Sequence, residues 1–223
     1  MGKDVTKVYL FPGEGSDERI FAKFSFDSTY EVAHVTLPEP EEGMSMKAYA
    51  KVISSQIDTN GTYIFIGVSL GGMIAQEIAE YTQPEKIIII SSAKNRKELP
   101  FRYRFQRTVP INKLVSGKAT KRGALFLQPI VEPDRKLHAE VFNSMLGSKS
   151  PEYYKRTVNM ILNWDRTKVN NAVIHIHGDN DHTLPIRHVK ADYTIAGGSH
   201  MMTLTRGDEI NTLIQSILAG RKQ

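Results

Sequence analysis

The sequence contains no cysteine. Disulfide frameworks, thiolate metal sites and cysteine nucleophiles are thereby excluded, and nothing requires an oxidising compartment. Long apolar runs are missing too: no stretch approaches the ~20 consecutive apolar residues that cross a bilayer. Met1-Gly2-Lys3-Asp4-Val5-Thr6 also lacks the apolar core of a signal peptide. A soluble, cytoplasmic protein without membrane contact is expected. There is no internal repeat, and the one linker-like run, Pro38-Glu39-Pro40-Glu41-Glu42-Gly43, reads as a rigid acidic surface loop. Charge of one sign is only slightly in excess, at +5 from 29 Lys and Arg against 24 Asp and Glu. That is short of a nucleic-acid binder, so none is expected as a partner.

What is present fits one domain: 223 residues, 40% of them apolar, suffice for one buried core and a small appendage. Short apolar runs recur at Val8–Phe11, Val32–Leu37, Tyr63–Ile66, Ile87–Ile90, Ala172–Ile176 and Asp192–Ala196. Such near-continuous runs suit strands buried on both faces. Helical stripes lie between them: Met46, Tyr49, Ala50, Ile53 and Ile57 after a Ser45 N-cap; Leu70, Met73, Ile74, Ile78 and Tyr81; and Ile210, Leu213, Ile214, Ile217 and Leu218. Strands alternating with helices predict an α/β fold with a mostly parallel sheet of about six strands. From Ser91 to about Arg166 the alternation stops. The expected division is a core of residues 1–92 and 166–223 and a helical lid inserted at 93–165.

Gly67-Val68-Ser69-Leu70-Gly71 follows one of these strands directly and opens a helix. A turn that swings a serine from strand into helix strains the serine's backbone and crowds the residues on either side, so only small residues fit there. The helix N-terminus also places partial positive charge where a tetrahedral oxyanion would form, with the Leu70 amide as one donor. A phosphate-binding turn would need a lysine that is absent.

A serine hydroxyl needs an imidazole as general base and a carboxylate to orient it. His200, in Gly197-Gly198-Ser199-His200-Met201-Met202, sits in a loop after the last predicted strand, where catalytic groups of parallel sheets collect. The carboxylate comes from Gly178-Asp179-Asn180-Asp181-His182-Thr183-Leu184-Pro185, where two aspartates compete.

The Gly-x-x-Asp loop followed by proline resembles the acid loop of α/β-hydrolases, and the order Ser69, Asp181, His200 is that superfamily's order. The resemblance spans nearly the whole chain, although three short motifs carry it. It implies an α/β-hydrolase fold and a serine hydrolase, a carboxylesterase or thioesterase, that needs no cofactor and no metal. Asp181 would be the triad acid and Asp179 a loop-shaping neighbour. It also aligns Phe11-Pro12-Gly13-Glu14-Gly15-Ser16-Asp17 with the superfamily's His-Gly oxyanion loop, making the Glu14 amide the second donor. Pro12 replaces the usual histidine, and an acidic Glu14 side chain turned inward could repel the developing oxyanion, although backbone donation needs no particular side chain.

Two other readings compete with an esterase. His175-Ile176-His177-Gly178-Asp179-Asn180-Asp181-His182 approaches the His-x-His-x-Asp-His motif of metallo-β-lactamase-like hydrolases, with His175, His177 and Asp179 as ligands; it departs at Asn180, where a histidine belongs. The other is a non-catalytic receptor that retains the triad and uses the lid to bind a small molecule or a protein.

The lid is basic. Between Lys94 and Arg122 stand ten Lys and Arg and a single acid, Glu98, a local +9 that leaves the remainder of the chain net negative. Within Phe101-Arg102-Tyr103-Arg104-Phe105, charge alternates with aromatics, which suggests arginines turned outward and rings toward an acyl pocket, with Trp164 as a further pocket residue. In size and triad layout the chain resembles carboxylesterases of the pimeloyl-carrier-protein methyl esterase type. That resemblance implies an acidic acyl-carrier protein, or a coenzyme A thioester, as the partner of the basic lid.

Overall fold

Alternate residues of the apolar runs enter two different cores. The computed structural model of the protein describes residues 5–108, 116–123 and 138–220. Among them run six strands: β1 (Thr6–Phe11), β2 (Tyr30–His34), β3 (Tyr63–Val68), β4 (Lys86–Ile90), β5 (Val173–Gly178) and β6 (Tyr193–Ile195). They form one sheet in the order β2-β1-β3-β4-β5-β6, every neighbouring pair parallel. Because strand side chains alternate between faces, Tyr9, Phe11, Phe65 and Ile89 pack on one side with α1 (Met46–Ile53) and α2 (Leu70–Thr82). Val8, Leu10, Ile66 and Ile88 pack on the other, against the helix Gly207–Leu218 through Ile210, Ile214 and Ile217.

The helices start where the sequence signals them. Ser45 caps α1, its hydroxyl accepting from the Ala48 amide at 3.2 Å. Between β4 and β5 the described residues form no strand. They form α3 (Phe101–Thr108), a helical stretch at 117–123, α4 (Ala139–Ser148) and α5 (Pro151–Leu162).

Three expectations need correction. Strand β2 begins at Tyr30 and ends at His34, so Val35 and Leu37 are buried beyond it, while Val32 is 39% exposed. An edge strand has one neighbour, and burial on both faces does not extend to it. Tyr81, at the end of α2, is 46% exposed, its ring under Lys51 and its hydroxyl donating to the Ala50 carbonyl. Trp164 is in the core, its indole N–H donating to Glu77 at 2.9 Å, and it does not line the cavity described below.

Strand order reverses between β1 and β3, whose loops therefore diverge at the carboxyl edge of the sheet. Crevices that bind ligands form at such points, and the elbow and the Gly13-Glu14 loop meet there.

Candidate active site

Ser69 stands between β3 and α2 with φ 51° and ψ −118°. A non-glycine residue in this region costs free energy, on the order of 1–3 kcal/mol, and persists only where its surroundings enforce it. The enforcement is visible at the flanking glycines. A Cβ on Gly71 would lie 2.3 Å from the Phe11 carbonyl oxygen, and one on Gly67 would lie 2.6 Å from the Gly72 backbone. The elbow is thus clamped against the end of β1 as well as folded on itself. The Ser69 amide donates to the Ile90 carbonyl at 2.9 Å, and its carbonyl accepts from the Ser92 hydroxyl at 2.7 Å.

The three residues expected to act together are in register. Ser69 Oγ lies 2.9 Å from His200 Nε2, and His200 Nδ1 lies 2.8 Å from Asp181 Oδ2. A carboxylate only accepts, so the Nδ1 proton points to Asp181 and leaves Nε2 as acceptor for the serine hydroxyl. Asp181 is 2% exposed, and its Oδ1 accepts from the Thr183 and Leu184 amides at 2.8 and 2.7 Å. Burial alone would push this carboxyl up. The facing His200, His177 and the Leu184 amide outweigh burial and hold it below the usual carboxylate range.

Asp179 has a different task, its Oδ1 accepting from the Gly197 amide at 2.7 Å, which ties the acid loop to the His200 loop. The loops touch so closely that a Cβ on Gly178 would meet the Gly198 carbonyl oxygen at 2.0 Å. The metal arrangement is not formed. His175 Nε2 is 3.0 Å from His177 Nδ1, and His177 Nε2 is 2.7 Å from the Leu184 carbonyl oxygen. Among the described residues no group of three potential ligands converges. Burial, with the neighbouring histidine, lowers the pKa of His175 well below its ordinary value.

Above Ser69 opens a cavity of about 490 Å³, walled by Met73 of the core and by Tyr103, Phe142, Met145, Tyr154 and Ile161 of the inserted helices. Gly13 packs against the Ser69 side chain, a Cβ there lying 3.3 Å from Ser69 Cβ. This places the Glu14 loop beside Ser69. Among the described residues neither the Glu14 nor the Leu70 amide donates to another protein group. Glu14 lines the cavity, with Oε1 accepting from the buried Thr157 hydroxyl of α5. Its pKa is pushed up to about 7, by burial above all, against the opposing pull of Thr157 and His200.

The lid pentapeptide is arranged differently from expectation. Arg102 and Tyr103 line the cavity, whereas Phe101 and Phe105 are 66% and 46% exposed and lie against each other. Alternation sorts residues by face only in a strand. On helix α3, positions 101 and 105 share a face, and that face is outward. Arg102 is tied to the acid loop, donating to the Thr183 and His182 carbonyls at 2.5 and 3.3 Å. Arg104 is partly buried. Other basic residues of the segment also have internal partners: Lys94 pairs with Asp192, Arg96 donates to the Leu162 and Trp164 carbonyls, and Lys121 to those of Gly147 and Lys149. Lys97, Lys118 and Arg122 are exposed; Lys113 and the Arg107 side chain lie outside the described residues. Sequence reasoning missed Thr157, Phe142, Met145 and Tyr154. Only the three-residue spacing of Phe142 and Met145 gave a local hint.

No family model matches the sequence, and no curated protein does. Solved structures share the fold. A thermophilic esterase from Thermogutta terrifontis superposes with a TM-score of 0.74 at 15% identity, over 99% of this chain and 91% of that one. A lipase-esterase related protein from Clostridium acetobutylicum gives 0.67 at 14%, over 96% of both chains. The chain has the α/β-hydrolase fold. MenH from S. aureus superposes with a TM-score of 0.67 at 17% identity, over 99% and 95%. Within this fold Ser69 stands at the turn after β3, Asp181 in the loop after β5 and His200 in the loop after β6. Among the described residues no helix is long and apolar enough to cross a membrane.

Proposed function

We propose that the protein is a serine hydrolase that cleaves a carboxylic ester or thioester through an acyl-enzyme on Ser69. The hydrogen-bonded row Ser69–His200–Asp181 at the floor of an apolar cavity carries this reading. Ser69 Oγ attacks the acyl carbonyl while His200 Nε2 takes its proton. The tetrahedral oxyanion receives the otherwise unengaged Leu70 and Glu14 amides. Nε2 then returns the proton to the leaving group, and the sequence repeats with water. Asp181 keeps the Nδ1 proton in place and stabilises the imidazolium. The esterase names of two fold neighbours agree with this chemistry.

An acidic acyl carrier or coenzyme A remains the proposed leaving-group side, recognised by Lys97, Lys118 and Arg122. Labelling with a fluorophosphonate tests the chemistry. The wild-type protein is expected to be labelled and Ser69→Ala to be unlabelled, with circular dichroism showing both folded. A folded wild type that stays unlabelled overturns the reading.

A further inference from the structure

The cavity has an apolar wall into which one carboxyl group is set. Glu14 reaches it from the oxyanion loop and Thr157 holds one of its oxygens, Oε1. The other oxygen has no hydrogen-bond partner among the described residues, and no lysine or arginine pairs with the group. Arg102, the cation that shares the cavity wall, is committed to the acid loop. Tyr103, Tyr153 and Tyr154 surround the carboxyl and supply no positive charge. A carboxyl placed this way carries a large desolvation cost, met in proteins by a paired cation or by protonation. Among the described residues no lysine or arginine supplies the cation, and the group borders the cavity that a substrate would fill.

We propose that Glu14 makes this cavity selective for acyl groups bearing an ammonium a few bonds from the carbonyl, a substrate class that rests on the serine-hydrolase reading. The placement follows from the chain itself. On that reading the Glu14 amide serves the oxyanion while its side chain borders the same cavity, so the carbonyl and the ammonium of one acyl group are read by the backbone and the side chain of one residue. Binding the ammonium supplies the missing counter-ion and holds Glu14 ionised. A neutral acyl chain of the same shape leaves the carboxyl without a counter-ion. The bond to Thr157 orients the group and joins the Glu14 loop to α5, but on its own it leaves the second carboxyl oxygen unbonded among the described residues.

Two esters that differ in a single group test this: the p-nitrophenyl esters of β-alanine and of butyric acid, where ammonium replaces methyl. The wild-type protein is expected to favour the β-alanyl ester by tenfold or more in kcat/KM, and Glu14→Gln, which keeps the shape and the Thr157 bond, to lose that preference. Equal preference in the two proteins overturns the inference. Binding of hexylammonium and of 1-hexanol, followed by NMR, is the second readout and needs neither turnover nor the variant. Tighter binding of the ammonium, by tenfold or more, supports the site. Equal binding by a protein that fluorophosphonate still labels overturns the specificity and leaves the hydrolase reading standing. Preferential ammonium binding by a protein that resists the label does the reverse.

Discussion

Two carboxyl groups face His200 from opposite loops, and the protein treats them differently. Asp181 is sealed from solvent yet held below the usual carboxylate range, because His200 and two backbone amides bond to it and His177 lies 3.4 Å away. Glu14 is held at about 7, because one hydroxyl serves it in an apolar wall. Burial works in the same direction on both; the number and charge of the donors decide the outcome. The acid loop turns back on itself at Asp181, so its own amides at Thr183 and Leu184 converge on the side chain. The oxyanion loop offers Glu14 no such nest.

Replacing Asp181 breaks the comparison most severely. Asp181→Asn is expected to lower kcat by ~10³–10⁴-fold, because an amide can donate to Nδ1 and strand the proton on Nε2. Steady-state hydrolysis of p-nitrophenyl butyrate measures it, and a loss below tenfold contradicts the orienting role.

The next effect is on stability and has opposite signs for the two groups. Glu14 rises from its ordinary 4.5 to about 7 on folding, so between these values the folded protein keeps a proton that the unfolded chain has released. Its contribution is present below pH 4.5 and is lost as pH rises through 7, a change on the order of 3 kcal/mol. Glu14→Gln is therefore expected to gain stability over wild type as pH rises from 4.5 to about 8. Asp181, lowered on folding, contributes stability above its ordinary value that is lost as pH falls through the folded one. Chemical denaturation across this range checks both; a constant offset between Glu14→Gln and wild type contradicts the burial of Glu14.

The smallest effect concerns salt. If Lys97, Lys118 and Arg122 steer an acidic carrier, kcat/KM for a carrier-bound acyl group falls several-fold between low and physiological ionic strength, while a small neutral ester is indifferent. Parallel salt curves for the two substrates remove the carrier from consideration.

The elbow was legible because its constraints are local. Gly67 and Gly71 are required by backbone atoms that would overlap any Cβ, Gly72 faces the Ser92 side chain, and a strand before and a helix after them mark the place. The parallel sheet was legible because its inner strands are apolar on both faces. The position of Glu14 was half legible: the sequence places it after β1, but its inward direction is set by Thr157 on α5, distant in the chain. Lid packing was not legible. In Phe101–Phe105 the alternation of ring and charge suggested two faces, whereas the helix put Phe101 and Phe105 on the solvent side and Arg102 and Tyr103 at the cavity rim. Trp164 looked like a pocket residue because it is large and apolar, and it was claimed by the core through Glu77.

Arg102 reaches from α3 to the carbonyls of His182 and Thr183, next to the acid. A displacement of α3 large enough to admit a bulkier acyl group must either release that guanidinium or drag the loop with it. On the proposed serine-hydrolase reading, access to the cavity and alignment of the imidazole are then one mechanical variable, and a substrate that fits poorly beneath α3 is penalised in the proton transfer as well as in binding.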